Sequence, residues 1–207
     1  MNLIIVRHGE TDWNSIGRCQ GISDVQLNDN GRRQARELGK SLKGEDISAV
    51  YSSNLKRAFD TAKEIARHHN LNVNIETDLR EMDQGVFEGL SFDEIRKDYS
   101  HILAKWKEDP DSLKLPDGES LKEVQERVWG VFEKVYENHR EETVVLASHN
   151  LTINTLLCRF SKVGLKEARN FNLSSACKSL IVCEDGKFDI TVLNDLSHLS
   201  IKPENKL

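Results

Sequence analysis

The chain has 207 residues, of which 30% are charged, and its formal net charge is -5. That length suits one domain with a sizeable core, and a mildly acidic chain without a basic cluster argues against a nucleic-acid partner. No apolar run approaches the ~20 residues of a membrane span and the N-terminus lacks a basic n-region, so the expectation is a soluble cytoplasmic protein with no membrane partner. Cys19, Cys158, Cys177 and Cys183 show no C-x-x-C spacing; reduced thiols are expected rather than a zinc site or a redox pair.

The first predicted element is Leu3-Ile4-Ile5-Val6, short, apolar, rich in β-branched residues and bounded by glycine, which reads as a buried strand. Ligands of α/β sheets sit at the carboxyl ends of strands, so Arg7 and His8 leave this strand where chemistry usually happens. Gly9 lets the backbone turn and approach a ligand. A guanidinium is a planar fork of donors and a neutral imidazole is a nucleophile, a pairing suited to phosphate. Alone, the tripeptide also fits an ordinary strand end with a solvated Arg.

Asn28 is placed to N-cap a helix carrying Ala35, Leu38 and Leu42 through Lys43, with Gly44 as its stop. Ile47 to Tyr51 is a second strand. Ser52-Ser53 then cap a helix whose apolar face is Leu55, Ala58, Phe59, Ala62, Ile65 and Ala66. Arg57 lies in its first turn, where the helix dipole disfavours a cation unless an anion sits there. Leu71 to Ile75 is a third strand, followed by a loop through Asp83. Phe87 to Ser120 is less regular, with short helical patterns at Phe92–Tyr99 and Ile102–Trp106 broken by Asp109-Pro110 and Pro116-Asp117-Gly118. This region, about 82–118, is a candidate cap or lid, and its apolar residues suit either a substrate or a homodimer. Ser120 and Glu123 form a capping box before a long helix with Leu121, Val124, Val128, Val131, Phe132 and Val135 on one face. Thr143 to Ala147 is a buried strand. Ser148-His149-Asn150 follows at its carboxyl end and leads into a helix over Leu151–Phe160. Lys178–Cys183 and Lys187–Leu193 form a hairpin through Asp185-Gly186, and a frayed tail is expected from Ser200.

Strands alternating with helices predict an α/β fold: a three-layer α/β/α sandwich with a mostly parallel central sheet, a C-terminal hairpin, and a single domain over 1–207. If the strands before Arg7-His8, Arg57 and His149 are parallel neighbours, two guanidiniums and two imidazoles surround one phosphate-sized pocket. His68, His69, His101 and His139 fall in charged stretches and are expected to be solvated. There is no His pair at metal-ligand spacing near a carboxylate, no P-loop and no G-x-G-x-x-G, so no metal or nucleotide cofactor is expected.

The sequence resembles the histidine phosphatase superfamily, the phosphoglycerate-mutase-like fold. The resemblance rests on Arg7-His8-Gly9-Glu10-Thr11 with Trp13-Asn14 and Gly17-Arg18-x-Gln20-Gly21, and continues through Leu27-x3-Gly31-x2-Gln34-Ala35. It extends to Ser52-Ser53-x-Leu55-x-Arg57-Ala58-x2-Thr61-Ala62, Leu79-x-Glu81, Gly118-Glu119-Ser120 and Ser148-His149. It implies that His8 is the nucleophile that becomes phosphohistidine and that Arg7, Arg57 and His149 bind phosphoryl oxygens. It makes Glu81 the general acid and base, and adds Asn14 and the Gln20-Gly21 turn to the substrate pocket. Two Arg and a charged His149 can stabilise a phosphoryl transition state without Mg²⁺, while Glu81 protonates the leaving alkoxide and then activates water. Without that context Glu81 reads as a loop carboxylate paired to Arg80. The implied partner is a small-molecule phosphomonoester such as a sugar phosphate, α-ribazole phosphate or phosphoserine, with no metal.

Many relatives follow the second histidine with glycine, where this chain has Asn150-Leu151-Thr152. Cofactor-dependent phosphoglycerate mutases share the pocket but carry a longer insertion after the general acid, which favours a phosphatase; a non-catalytic member is disfavoured by retention of the site residues. His198, in Asn194-x3-His198-Leu199, is either solvated in the tail or near the pocket mouth. In similar phosphatases a tail histidine binds the substrate's carboxylate and the cap supplies a histidine where this chain has Gln84.

Overall fold

The computed structural model describes residues 1–201. One sheet contains β1 (Asn2–Arg7), β2 (Ile47–Ser52), β3 (Val73–Ile75), β4 (Thr143–Ser148), β5 (Lys178–Glu184) and β6 (Lys187–Asp195), in the spatial order β3-β2-β4-β1-β5-β6. The pairs β3–β2, β2–β4 and β4–β1 are parallel, and β5 runs antiparallel to both β1 and β6. The helices are α1 (Asp12–Ser15), α2 (Asp29–Ser41), α3 (Lys56–Ala66), α4 (Phe92–Asp98), α5 (Ser100–Glu108), α6 (Leu121–Asn138) and α7 (Asn150–Ser161).

Alternation along the strands builds the two helical layers. Leu3 and Ile5 of β1 with Val144 and Leu146 of β4 face α6 and α7, where Phe132, Val135, Ile153 and Leu156 complete one core. Ile4 and Val6 with Val145 and Ala147 face α2 and α3, packing on Leu38, Ala62 and Ile65. Each buried Val, Leu, Ile or Phe among these stabilises the fold by roughly 1.5–3 kcal/mol relative to exposure. The α/β/α sandwich with its mostly parallel sheet and C-terminal hairpin is as expected. Asp185 and Gly186 take the positive φ values, 47° and 73°, that a two-residue hairpin turn of this hand requires.

Several local expectations shift. β3 begins at Val73 rather than Leu71: it pairs only with β2, so it is a short edge strand. α2 stops at Ser41, and α3 starts at Lys56 with Leu55 as its N-cap. Ser53 Oγ accepts from Leu55 N–H at 3.1 Å, but the free helical N–H of Lys56 is met by Asp24 Oδ1 at 2.8 Å, from a loop distant in sequence. His139 is not simply solvated: its ring nitrogens contact Glu142 Oε2 at 2.5 Å and Tyr51 Oη at 2.9 Å. Ser200 is tied to Glu37, its hydroxyl donating at 2.6 Å; the rest of the expected tail, 202–207, lies outside the described residues.

The segment between Glu81 and α6 carries a 3₁₀ turn (Gly85–Phe87), α4 and α5. Met82, Phe87, Ile95, Ile102 and Leu115 pack on Leu121 and Val124 of α6 and on Cys158 of α7, forming a second, smaller core. Gly85 has φ +51°, and a Cβ there would lie 2.0 Å from the Pro116 carbonyl oxygen. Glycine is therefore what lets the two ends of this segment close on each other.

Candidate active site

β1 and β4 lie side by side with Arg7 opposite Ser148, so the next residue of each strand, His8 and His149, emerges at the same carboxyl edge. Their ring centroids are 5.1 Å apart. His8 Nδ1 lies 2.7 Å from the Gly9 carbonyl oxygen. A carbonyl can only accept, so Nδ1 carries the proton and Nε2 keeps its lone pair. Burial, then Arg57, then Arg7 hold the His8 pKa well below its ordinary value, against the pull of the Gly9 hydrogen bond. The imidazole is therefore neutral.

The loop after His8 is braced by the motif residues of α2 and α3. Gly9 N–H donates to Thr61 Oγ1 at 3.1 Å and Glu10 N–H donates to Gln34 Oε1 at 2.9 Å. A Cβ on Gly31 would lie 2.0 Å from the Glu10 carbonyl oxygen, so only glycine lets α2 come this close. Thr11 N–H donates to Asn14 Oδ1 at 3.1 Å and its hydroxyl to Gln20 Oε1 at 3.0 Å. With both amide oxygens used inside the loop, the two amide NH₂ groups are left to serve an anion.

Arg57, placed by sequence in the first turn of α3, is buried. Its Nη1 and Nη2 donate to the carbonyls of Ser23 and Gly21, each at 2.7 Å. Burial pushes its pKa down to about 10. Arg7 donates to the Leu173 carbonyl and its pKa is also lowered by burial. Among the described residues, Nε of neither arginine has a hydrogen-bond partner, and neither ring nitrogen of His149 has one. The pKa of His149 is held well below its ordinary value by burial, then Arg57, His8 and Arg7. The charged His149 expected from sequence is thus neutral here: a third cation beside two buried guanidiniums is unfavourable until an anion offsets it.

Glu81 reaches the N-terminus of α7. Its Oε2 accepts from Leu151 N–H at 3.2 Å, and its Oε1 accepts from Met82 N–H at 2.9 Å and from Thr152 N–H at 3.2 Å. The Thr152 hydroxyl donates to the Arg80 carbonyl at 2.7 Å, so its oxygen, 3.2 Å from Glu81 Oε1, faces that carboxyl as an acceptor. The alternative pairing to Arg80 is not formed; Arg80 lies 3.7 Å from Glu119 instead. So the sequence after His149 presents its first helical N–H groups to Glu81, and Asn150 stands in the cavity wall.

Arg7, His8, Arg57 and Glu81 line one cavity of about 280 Å³, as do Asn14, Gln20 and Gly21. His149 lies outside the lining, against His8. Gln84 also lines the cavity and its Oε1 accepts from the Cys19 thiol; burial, then Glu81 and Glu88, push that thiol up to about 12. His198 is neither solvated nor in the lining: its Nε2–H donates to the Ala176 carbonyl at 3.1 Å, and Ala176 N–H donates to the His8 carbonyl at 3.0 Å. Among the described residues no group of three or more His, Cys, Asp or Glu is arranged to hold a metal ion.

Two positioning residues escaped the sequence reading. Arg127 of α6 donates to the carbonyls of Asp78, Arg80 and Glu81 at 2.6, 2.8 and 3.0 Å, and its Nε donates to Glu119 at 2.9 Å. Its signal was a cation three residues after Val124 and four before Val131, on the apolar face of the helix. Glu88 accepts from Ile22 N–H at 2.7 Å and Ser23 N–H at 3.0 Å, tying the segment after Glu81 to the loop that Arg57 holds. No local pattern marks it.

The family model of the histidine phosphatase superfamily (branch 1) matches residues 3–196. Phosphoserine phosphatase 1 of Hydrogenobacter thermophilus is 37% identical over 199 residues, spanning 96% of this chain and 94% of that protein. YhfR of Bacillus stearothermophilus has a TM-score of 0.89 at 30% identity, over 95% of this chain and 98% of its own. A mycobacterial glucosyl-3-phosphoglycerate phosphatase in complex with VO3 has a TM-score of 0.87 at 28% identity, over 93% and 98%. With its fold, its N-terminal motif and its paired histidines in that family's order, the chain belongs to branch 1 of the histidine phosphatase superfamily.

Proposed function

We propose that the protein hydrolyses small phosphomonoesters, without a metal ion, through a phosphohistidine on His8. The observation that carries this reading is the His8 tautomer: Nδ1–H is committed to the Gly9 carbonyl and burial between two guanidiniums keeps the ring neutral. Nε2 attacks phosphorus as the ester P–O bond breaks. Arg7, Arg57 and the amides of Asn14 and Gln20 take up the charge on the phosphoryl oxygens. The dianion also allows His149 to take a proton and donate to it. Glu81 gives its proton to the departing alkoxide, and the three backbone N–H donors around it suit the carboxylate so formed. That carboxylate then takes a proton from water attacking phosphohistidine, releasing inorganic phosphate and restoring His8.

The 82–118 segment is the cap of this site, since its turn and two helices complete the cavity wall. Relatives named as phosphatases of phosphoserine and of glucosyl-3-phosphoglycerate support phosphomonoester hydrolysis as the class of reaction. The test is turnover of p-nitrophenyl phosphate and alkyl phosphates with a chelator present. Full activity in the chelator is expected, together with acid-labile phosphate on the peptide containing His8. Loss of activity on chelation, restored by a divalent cation, would remove the metal-free mechanism. Transfer between 2- and 3-phosphoglycerate exceeding hydrolysis, and dependent on a bisphosphate primer, would make it a mutase.

A further inference from the structure

The cavity is divided by polarity. One part of its lining holds Arg7, Arg57, His8, Glu81 and the two amides. The part supplied by the segment after Glu81 is mostly apolar: Phe87 from the 3₁₀ turn, Phe92 and Ile95 from α4, Leu103 and Trp106 from α5, and Leu115 from the loop beyond. Phe92 with Ile95, and Leu103 with Trp106, are spaced i, i+3 and so present one face of each helix. Phe87, Ile95 and Leu115 are at the same time members of the second core, which fixes this wall in place.

We infer that the leaving-group side of the site is built for an apolar or aromatic alcohol, so that alkyl and aryl phosphates are preferred over phosphoserine or a phosphoglycerate; this rests on the hydrolase reading above. The charged groups elsewhere in the lining are accounted for. Arg18 donates to the Gly89 carbonyl and lies 3.5 Å from Glu94, so its charge is already offset. Gln84 and Asn150 carry no charge, so neither neutralises a carboxylate, and the Gln84 Oε1 that could accept from an ammonium is taken by Cys19. An α-carboxylate and an ammonium pressed against Phe, Leu and Trp would lose water and meet at most neutral amides and an arginine already paired to Glu94. An alkyl chain or ring gains by the same burial, and three aromatic side chains line the wall. Phe92 is 56% exposed, a large aromatic left uncovered at the mouth by its own chain. At about 280 Å³ the site lies just below the usual range of ligand pockets, roughly 300–1,000 Å³, so the occupant is one compact molecule.

The test pairs binding with turnover. Affinity for n-alkylphosphonates from ethyl to hexyl, and for the phosphoserine analogue 2-amino-4-phosphonobutyrate, is measured by calorimetry. Then kcat/KM is measured for the matching alkyl phosphates and for phosphoserine. Affinity and kcat/KM should rise about threefold to fourfold per methylene until the cavity is filled. Hexyl compounds should exceed the phosphoserine pair by about tenfold or more. In Phe92→Ser and Trp106→Gln the hexyl-to-ethyl ratio should fall about threefold or more. Affinity independent of chain length, or phosphonobutyrate binding as tightly as hexylphosphonate, overturns the inference. Affinity that climbs with chain length in a protein that hydrolyses none of the esters upholds the apolar pocket and overturns the hydrolase reading instead.

Discussion

His8 is nucleophilic only while uncharged, and its surroundings enforce that state by burial and by two neighbouring cations rather than by a base. His8→Ala should therefore lower kcat about a thousandfold or more, and trapping with ³²P-labelled substrate should leave no acid-labile phosphate on the protein. Retention of activity or label in this variant would move the nucleophile elsewhere. Glu81 has a separable role. Glu81→Gln keeps an acceptor for the α7 amides but has no carboxyl proton to give. Turnover of alkyl phosphates should fall by about 10²–10⁴, while p-nitrophenyl phosphate, whose leaving group needs little protonation, should lose much less. Equal losses on both esters would make Glu81 a structural cap of α7 only.

Elements rather than single residues decide where Glu81 points. Its loop has no regular pairing of its own; Arg127 of α6 holds its Asp78, Arg80 and Glu81 carbonyls together with Glu119. Arg127→Met removes those donors and leaves Glu119 without its principal cation. A loss of stability of about 2–4 kcal/mol in urea unfolding is expected. Alkyl phosphate turnover should fall more than aryl turnover, copying part of the Glu81→Gln phenotype. A stability loss with an unchanged alkyl-to-aryl ratio would confine Arg127 to packing. Much of the scaffold was legible from sequence at this scale. The Ser120–Glu123 capping box and the Asn28 cap form as predicted, with Oγ and Oδ1 accepting at 3.2 and 2.8 Å. The cap of α3 was not legible, because Asp24 closes on Lys56 through space and no periodicity records that approach.

Across the whole molecule, parallel β2, β4 and β1 deliver Arg57, His149 and Arg7-His8 to one edge of the sheet, and the outcome is a set of buried bases beside buried cations. Both histidine pKa values are lowered from 6.5 by folding, so below about pH 6.5 the unfolded chain binds protons that the native state refuses. Stability from these groups is present above that pH and is lost as the pH falls toward the folded pKa values, by up to about 1.4 kcal/mol per pH unit for each histidine. Urea midpoints measured from pH 7 down to pH 5 should fall accordingly, and His149→Asn should flatten that slope by about one proton. A slope unaltered by the substitution would mean that His149 keeps its proton in the native state.

The strands, the helices and the residues at the carboxyl ends of β1 and β4 were determined by the sequence itself, since apolar periodicity and capping chemistry act over a few residues. So was the identity of Arg7, His8, Arg57 and His149 as site candidates, because each follows a predicted strand or lies one turn into the next helix, whereas Glu81 became a candidate only through the resemblance to the family. Only the tertiary structure decided the protonation of His149, which depends on two guanidiniums brought in from other elements. It also placed His198 against Ala176 rather than in the cavity. The anchoring of Glu81 by Arg127 and α7, and the gathering of Phe87, Phe92, Ile95, Leu103, Trp106 and Leu115 into one apolar wall, likewise appear only in the fold. Burial, desolvation and through-space charge are properties of the packed chain, and a linear pattern carries them only where the partners are close in sequence.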